Sequence, residues 1–151
     1  MMGVAAILAV GAVACAVTDP SAGVDPELTC DGATKLVTMA QLHTEVIAPR
    51  CTSCHPNNGA PGNYGTPATT HAALVGRTSA HAGAAGTMKI VDGTNLANST
   101  LWLKVLGGDS ANRRGPHGET TSQPMPPLGL PRLDRDKVQR IKDWICSGAN
   151  P

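Results

Sequence analysis

Cys51-Thr52-Ser53-Cys54-His55 is the stretch on which the reading of this chain turns. Two cysteines separated by two residues and followed directly by histidine form the C-x-x-C-H pattern of covalent haem attachment. The chemistry explains the spacing. Thiols so placed can add to the two vinyl groups of one porphyrin, and the adjacent His55 is then carried beneath the ring, where its Nε2 can bind iron. Other chemistries use part of the same pattern. A C-x-x-C redox pair belongs in a βαβ setting, and no strand-like run precedes Cys51. Half of a zinc site needs a second ligand pair, but His71 and His81 lie in polar or Gly/Ala-rich stretches without C-x-x-C or H-x₃₋₅-H spacing.

Immediately upstream, Thr38-Met39-Ala40-Gln41 fits a capping box, and Met39, Leu42, Val46 and Ile47 recur at helical spacing. This predicts a helix over 39–48 that Pro49 ends or kinks. Downstream, residues 56–69 are rich in Gly, Pro and Asn and predict an irregular loop, with a short helix at His71 to Val75. Ser99 then reads as the N-cap of a helix through Leu106, stopped by Gly107-Gly108 and burying Trp102, Leu103 and Leu106. Residues 107–132 form a long Gly/Pro-rich loop, of a length that suggests function, and it contains Met125. The last helix has Asp134 as N-cap, Leu133 and Val138 as a staple, and Val138, Ile141, Trp144 and Ile145 on one face, with Gly148 closing it. Three or four helices without an alternating strand pattern give an all-α expectation, a small helical domain with long Gly/Pro-rich loops.

The 151-residue chain has room for one domain. With a net charge of +1 and 15% charged residues it has no field to attract nucleic acid. It has no Phe, one Tyr and two Trp against 17 Gly and 12 Pro, so it is poor in the side chains that build large cores. Such domains lean on a staple or a cofactor, and a haem would supply apolar surface.

Residues 3–14 are an uncharged apolar run, the length of a signal-peptide core and too short to span a bilayer. The run ends in Ala12-Val13-Ala14-Cys15, similar to the lipobox of bacterial lipoproteins, which makes Cys15 a lipidation candidate and a possible membrane anchor. No Lys or Arg precedes the run; a buried N-terminal helix is the other reading. The organisation expected is a leader over 1–15, a flexible linker over 16–29 and the folded domain over 30–151, exported to the periplasm or cell envelope. Of the five cysteines, Cys30 and Cys146 then remain. They pair as a disulfide across the ends of the domain or stay as two free thiols.

The set of pieces resembles a class I cytochrome c domain over about residues 37–149. The resemblance is closest to bacterial domains ending in Met-Pro-Pro, a turn, then a Leu-initiated helix finishing in Trp-Ile and Gly-Ala: here Met125-Pro126-Pro127-Leu128-Gly129, Leu133-Asp134 and Trp144-Ile145-Cys146-Ser147-Gly148-Ala149. Ile90-Val91-Asp92-Gly93-Thr94-Asn95-Leu96-Ala97-Asn98-Ser99 is also similar to their approach to the middle helix. The resemblance implies one haem c held by Cys51 and Cys54, His55 as proximal and Met125 as distal iron ligand, and electron transfer to redox proteins met transiently. The chain departs from the pattern at Cys146 and in having no aromatics around the first helix.

The residues keep alternatives open. Met39 and Met88 are rival thioethers and His117 a rival imidazole, while His43, His71 and His81 read as surface or structural. The prolines around Met125 would hold its sulfur at low entropic cost. A haem enzyme or gas sensor with an open or His-ligated distal site is the alternative to an electron carrier. No Ser/His/Asp set, Walker loop or H-E-x-x-H run points to hydrolysis or nucleotide chemistry.

Overall fold

The computed structural model describes residues 28–56, 62–80, 88–106, 125–127 and 129–151. The leader, Cys15, His81, the Gly107-Gly108 stop and His117 lie outside the described residues. Within them the chain is helical, with isolated bridges in place of strands, in agreement with the all-α expectation. None of these helices is long and apolar enough to cross a membrane.

The first helical rod begins where the capping box predicts. Thr38 Oγ1 accepts from the Gln41 backbone N–H, and the Gln41 side chain accepts from the Thr38 N–H. The rod comprises α1 (Met39–Leu42), a π-helical turn (His43–Ile47) and α2 (Ala48–Arg50). Of the two outcomes expected at Pro49, an end or a kink, the helix does not end there but runs on to Arg50. A proline inside an α-helix removes one hydrogen bond and its ring collides with the carbonyl four residues earlier, here that of Glu45. The wider turn just ahead of it, in which Ala48 N–H reaches back to His43 O, relieves that conflict.

Helix α3 (Pro67–Leu74) starts four residues earlier than its sequence suggested. Thr66 caps it through Thr69, and Pro67 sits in the first turn, where its missing N–H costs nothing. Helix α4 (Thr100–Val105) follows Ser99, whose side chain does not cap it. Ser99 Oγ instead accepts from Asp92 N at 2.9 Å and lies 2.7 Å from Asn95 O, closing the turn over residues 92–99. Trp102 and Leu103 are buried as expected, and Leu106 is half-buried. Helix α5 (Arg135–Cys146) has Asp134 at its N-cap position, but the carboxylate pairs with Lys137 Nζ at 2.6 Å. Leu133 and Val138 both pack against the core, as a staple would have them.

The rod packs on α3 and α5, and α5 also meets α4. Trp144 supplies the aromatic surface that the rod lacks, wholly buried with Leu42, Val46, Ile47 and Leu74. Its Nε1 donates to Asn150 O at 2.9 Å, the same carbonyl that accepts from Met39 N at 3.1 Å. One backbone oxygen thus ties the tryptophan to an otherwise orphaned amide at the start of the rod.

Cys30 and Cys146 form a disulfide, with sulfurs 2.05 Å and Cα atoms 5.5 Å apart. It fastens the segment before the rod to the end of α5. Alongside it Lys142 Nζ donates to Asp31 O, and Asp143 Oδ1 accepts from Thr34 N at 3.1 Å and Gln139 Nε2 at 2.9 Å.

Gly148 N donates to Ile145 O and Ala149 N to Trp144 O, the paired bonds that end a helix in a left-handed residue. Gly148 is that residue, with φ 98°. Its carbonyl also lies 3.1 Å from where a Cβ on Gly93 would sit, which explains the glycine in the Val91-Asp92-Gly93 approach. Gly148→Ala is expected to cost about 1–2 kcal/mol through the left-handed backbone alone, read as a lower urea midpoint at unchanged slope.

Candidate cofactor pocket

The rod delivers the C-x-x-C-H run without a break. Cys51 N donates to Ile47 O at 2.8 Å and His55 N to Cys51 O at 2.9 Å, so residues 51–55 wind one further turn. Residues three and four apart on a helical turn face the same way. That turn presents Cys51, Cys54 and His55 to a cavity of about 380 Å³, within the roughly 300–1,000 Å³ typical of small-molecule and cofactor sites.

The walls come from the end of the rod, α3, α4, Ser79, Ala80 and Ile90, and residues 125–127, 130, 131 and 133. Ile47 of the rod, Leu74 of α3, Leu101 and Val105 of α4, and Ile90 before it supply apolar surface. Met125, Pro126 and Pro127 close another side. Met125 N donates to Lys104 O at 2.9 Å, which fastens this loop to α4. Arg132 strengthens the mouth, its carbonyl accepting from Arg50 Nη2 at 2.9 Å while its Nη1 reaches Pro126 O at 3.4 Å.

The structure thus brings together Cys51, Cys54, His55 and Met125, residues named from sequence. The rival thioethers are elsewhere. Met39 is buried in the main core, and Met88 packs with Leu103 in a smaller cluster. The histidines His43 and His71 are structural: His43 Nε2 lies 2.9 Å from Tyr64 O and His71 Nε2 2.9 Å from Ala149 O. A carbonyl can only accept, so in both rings Nε2 carries the proton.

Tyr64, Lys104 and Thr100 are among the lining residues that escaped the sequence reading. Tyr64, buried beside the pocket, sets its ring 5.0 Å from that of His55, and the His43 bond to its carbonyl holds it there. Burial first, then the neighbouring Cys51, pushes its phenol upward. Lys104 lines the pocket half-buried, and desolvation lowers its pKa. Thr100 is buried, and among the described residues its Oγ1 has no hydrogen-bond partner. Nothing in the sequence marks these three, because each meets the site through tertiary packing.

Burial pushes the Cys51 thiol up to about 11, partly opposed by Arg50. A redox-active C-x-x-C pair runs the other way, with a thiol lowered so that it attacks as thiolate. Cys51 and Cys54 are both free thiols, and among the described residues no group of three or more His, Cys, Asp or Glu could hold a metal ion. What the pocket offers is two thiols and an imidazole on one wall, a thioether on another and apolar surface between. That donor set fits a haem.

Comparison with protein-family models, curated proteins and solved structures found no significant match to this chain.

Proposed function

We propose that this chain is a c-type cytochrome domain of the class I kind, binding one haem covalently and carrying electrons. The observation that carries the reading is the convergence of the contiguous Cys51, Cys54 and His55 with Met125, which is distant from them in sequence, on one apolar pocket. When bound, haem supplies a one-electron couple at its iron. Cys51 and Cys54 would hold it as thioethers, each thiol's sulfur and hydrogen adding to the two carbons of one vinyl group with nothing leaving. His55 Nε2 and Met125 Sγ would hold its iron. A thioether is a soft donor that favours ferrous iron, so the pair raises the reduction potential relative to two imidazoles. Two such donors would suit a carrier, because little would rearrange when the iron changes charge.

The Cys30–Cys146 bridge supports an oxidising compartment, in line with export to the periplasm or envelope, with Cys15 as the lipid anchor. Partners are redox proteins met transiently over a small surface.

The test is expression with c-type cytochrome maturation machinery, followed by a haem stain on a denaturing gel and spectra of wild type and Met125→Ala. Haem is expected to survive denaturation. The variant is expected to lose the Met–haem charge-transfer band and drop in potential by on the order of 0.1 V. A variant spectrum identical to wild type would assign the distal position to another group, His117 first, or leave it open for an enzyme or gas sensor.

A further inference from the structure

Residues 62–64 run up to α3 beside the pocket, and their backbone is held at each position. At Gly62 an added Cβ would sit 2.6 Å from Ala73 Cβ, so the chain lies flush on α3. Asn63 Oδ1 accepts from Gly65 N at 2.6 Å, a turn closed by its own side chain. Buried His43, on the π-helical turn of the rod, donates from Nε2 to Tyr64 O at 2.9 Å. The place of Tyr64 is thus fixed through its backbone, whatever its side chain touches.

That side chain lines the pocket, in a residue only 5% exposed. Its ring centroid lies 5.0 Å from that of His55, with the two planes 33° apart, inside the ~4.5–7 Å over which aromatic rings pack favourably. His55 is half-buried, and its N–H donates to Cys51 O at 2.9 Å. A backbone bond places the Cα of His55 but not the plane of its imidazole, whose last torsion is broad. A ring anchored on α3 and the rod, packed against that imidazole, restrains the plane from outside the C-x-x-C-H turn.

We propose that Tyr64 is a positioning residue for His55, its ring setting the plane of the imidazole that is presented to haem iron. The inference rests on the haem reading. Tyr64 takes no part in ligating iron, and the role needs its ring rather than its hydroxyl. The consequence is electronic: in low-spin ferric haem the plane of an axial imidazole directs how the unpaired spin spreads over the porphyrin. The shifts of the haem methyl protons record that spread, and packing alone does not move them.

The experiment uses the haem-loaded protein, wild type beside Tyr64→Phe, which keeps the ring, and Tyr64→Leu, which removes it. Proton NMR of the oxidised protein reads the haem methyl shifts, and heating reads the thermal midpoint. The expected result is the wild-type methyl pattern in Tyr64→Phe and a redistributed pattern in Tyr64→Leu. A lower midpoint in Tyr64→Leu with the methyl pattern unmoved would make Tyr64 a packing residue only and overturn the proposal. A pattern moved as far in Tyr64→Phe as in Tyr64→Leu would overturn it too, since the hydroxyl would then be the part that matters. Should Tyr64→Leu fail to fold, the reduced, diamagnetic wild type decides: nuclear Overhauser contacts between the Tyr64 and His55 ring protons are expected, and their absence overturns the proposal. The haem reading is judged separately, by whether wild type carries covalent haem at all.

Discussion

Replacing Cys30 and Cys146 together by serine is expected to lower the unfolding free energy of the haem-loaded domain by ~4–5 kcal/mol. The bridge spans a sequence separation of 116 residues, and a cross-link of that reach removes most of its entropy from the unfolded chain. Urea titration followed by tryptophan fluorescence reads the loss, and heating reads it as a fall in midpoint on the order of 15 °C for a domain of this size. The double variant is the right comparison, since a lone remaining thiol would be free to pair with Cys51 or Cys54 before they take up haem. Among the hydrogen bonds that remain at the junction, Lys142 donates to Asp31 O, Thr34 N to Asp143 and Gln139 to Gly32 O. Each is worth about 1 kcal/mol, too little to hold residues 28–36 closed alone. Hydrogen exchange is accordingly expected to rise in that segment before it rises at Val46 or Trp144. A loss below about 1 kcal/mol would mean that the unfolded chain is already restrained some other way, and the entropic account would fail.

The elements that the sequence predicted well are those whose signals are local. Helix α5 was legible because Ile141, Trp144 and Ile145 repeat on one face and Gly148 follows, and all three are buried. The start of the rod was legible from Thr38 and Gln41. Its end was not, because the spacing of Leu42, Val46 and Ile47 cannot tell an α turn from a π turn, and the π turn is what lets the chain pass Pro49. Helix α3 hid inside a stretch of turn residues, where Thr66-Pro67-Ala68-Thr69 is a cap followed by a first-turn proline, with Thr69 standing where Glu or Gln usually completes the box. The site divides the same way. Cys51, Cys54 and His55 could be read because the motif is contiguous, and Met125 because prolines flank it. Tyr64, Thr100 and Lys104 could not, since their relation to the pocket is set by the packing of α3 and α4 against the rod and by the bridge of Lys89 to Thr78 and Ser99.

Removing both Cys51 and Cys54 as alanines is expected to abolish haem staining on a denaturing gel, an all-or-none loss, while His55→Ala leaves both thiols and alters the spectrum instead. The single variants separate the two sulfurs. Each should keep one thioether and stain, with its visible bands moved to longer wavelength because one vinyl group stays conjugated with the ring. They differ in stability, because Cys51 is half-buried against the core cluster and Cys54 is exposed. Burying a sulfur removes apolar area from water, so Cys51→Ala should lower the thermal midpoint of the loaded protein more than Cys54→Ala does. The raised pKa of Cys51 supports this asymmetry, since the same desolvation that keeps it a thiol below about 11 makes its packing matter. Staining that persists in the double variant would show attachment through another nucleophile, and the pocket would then have to be read without its cysteines.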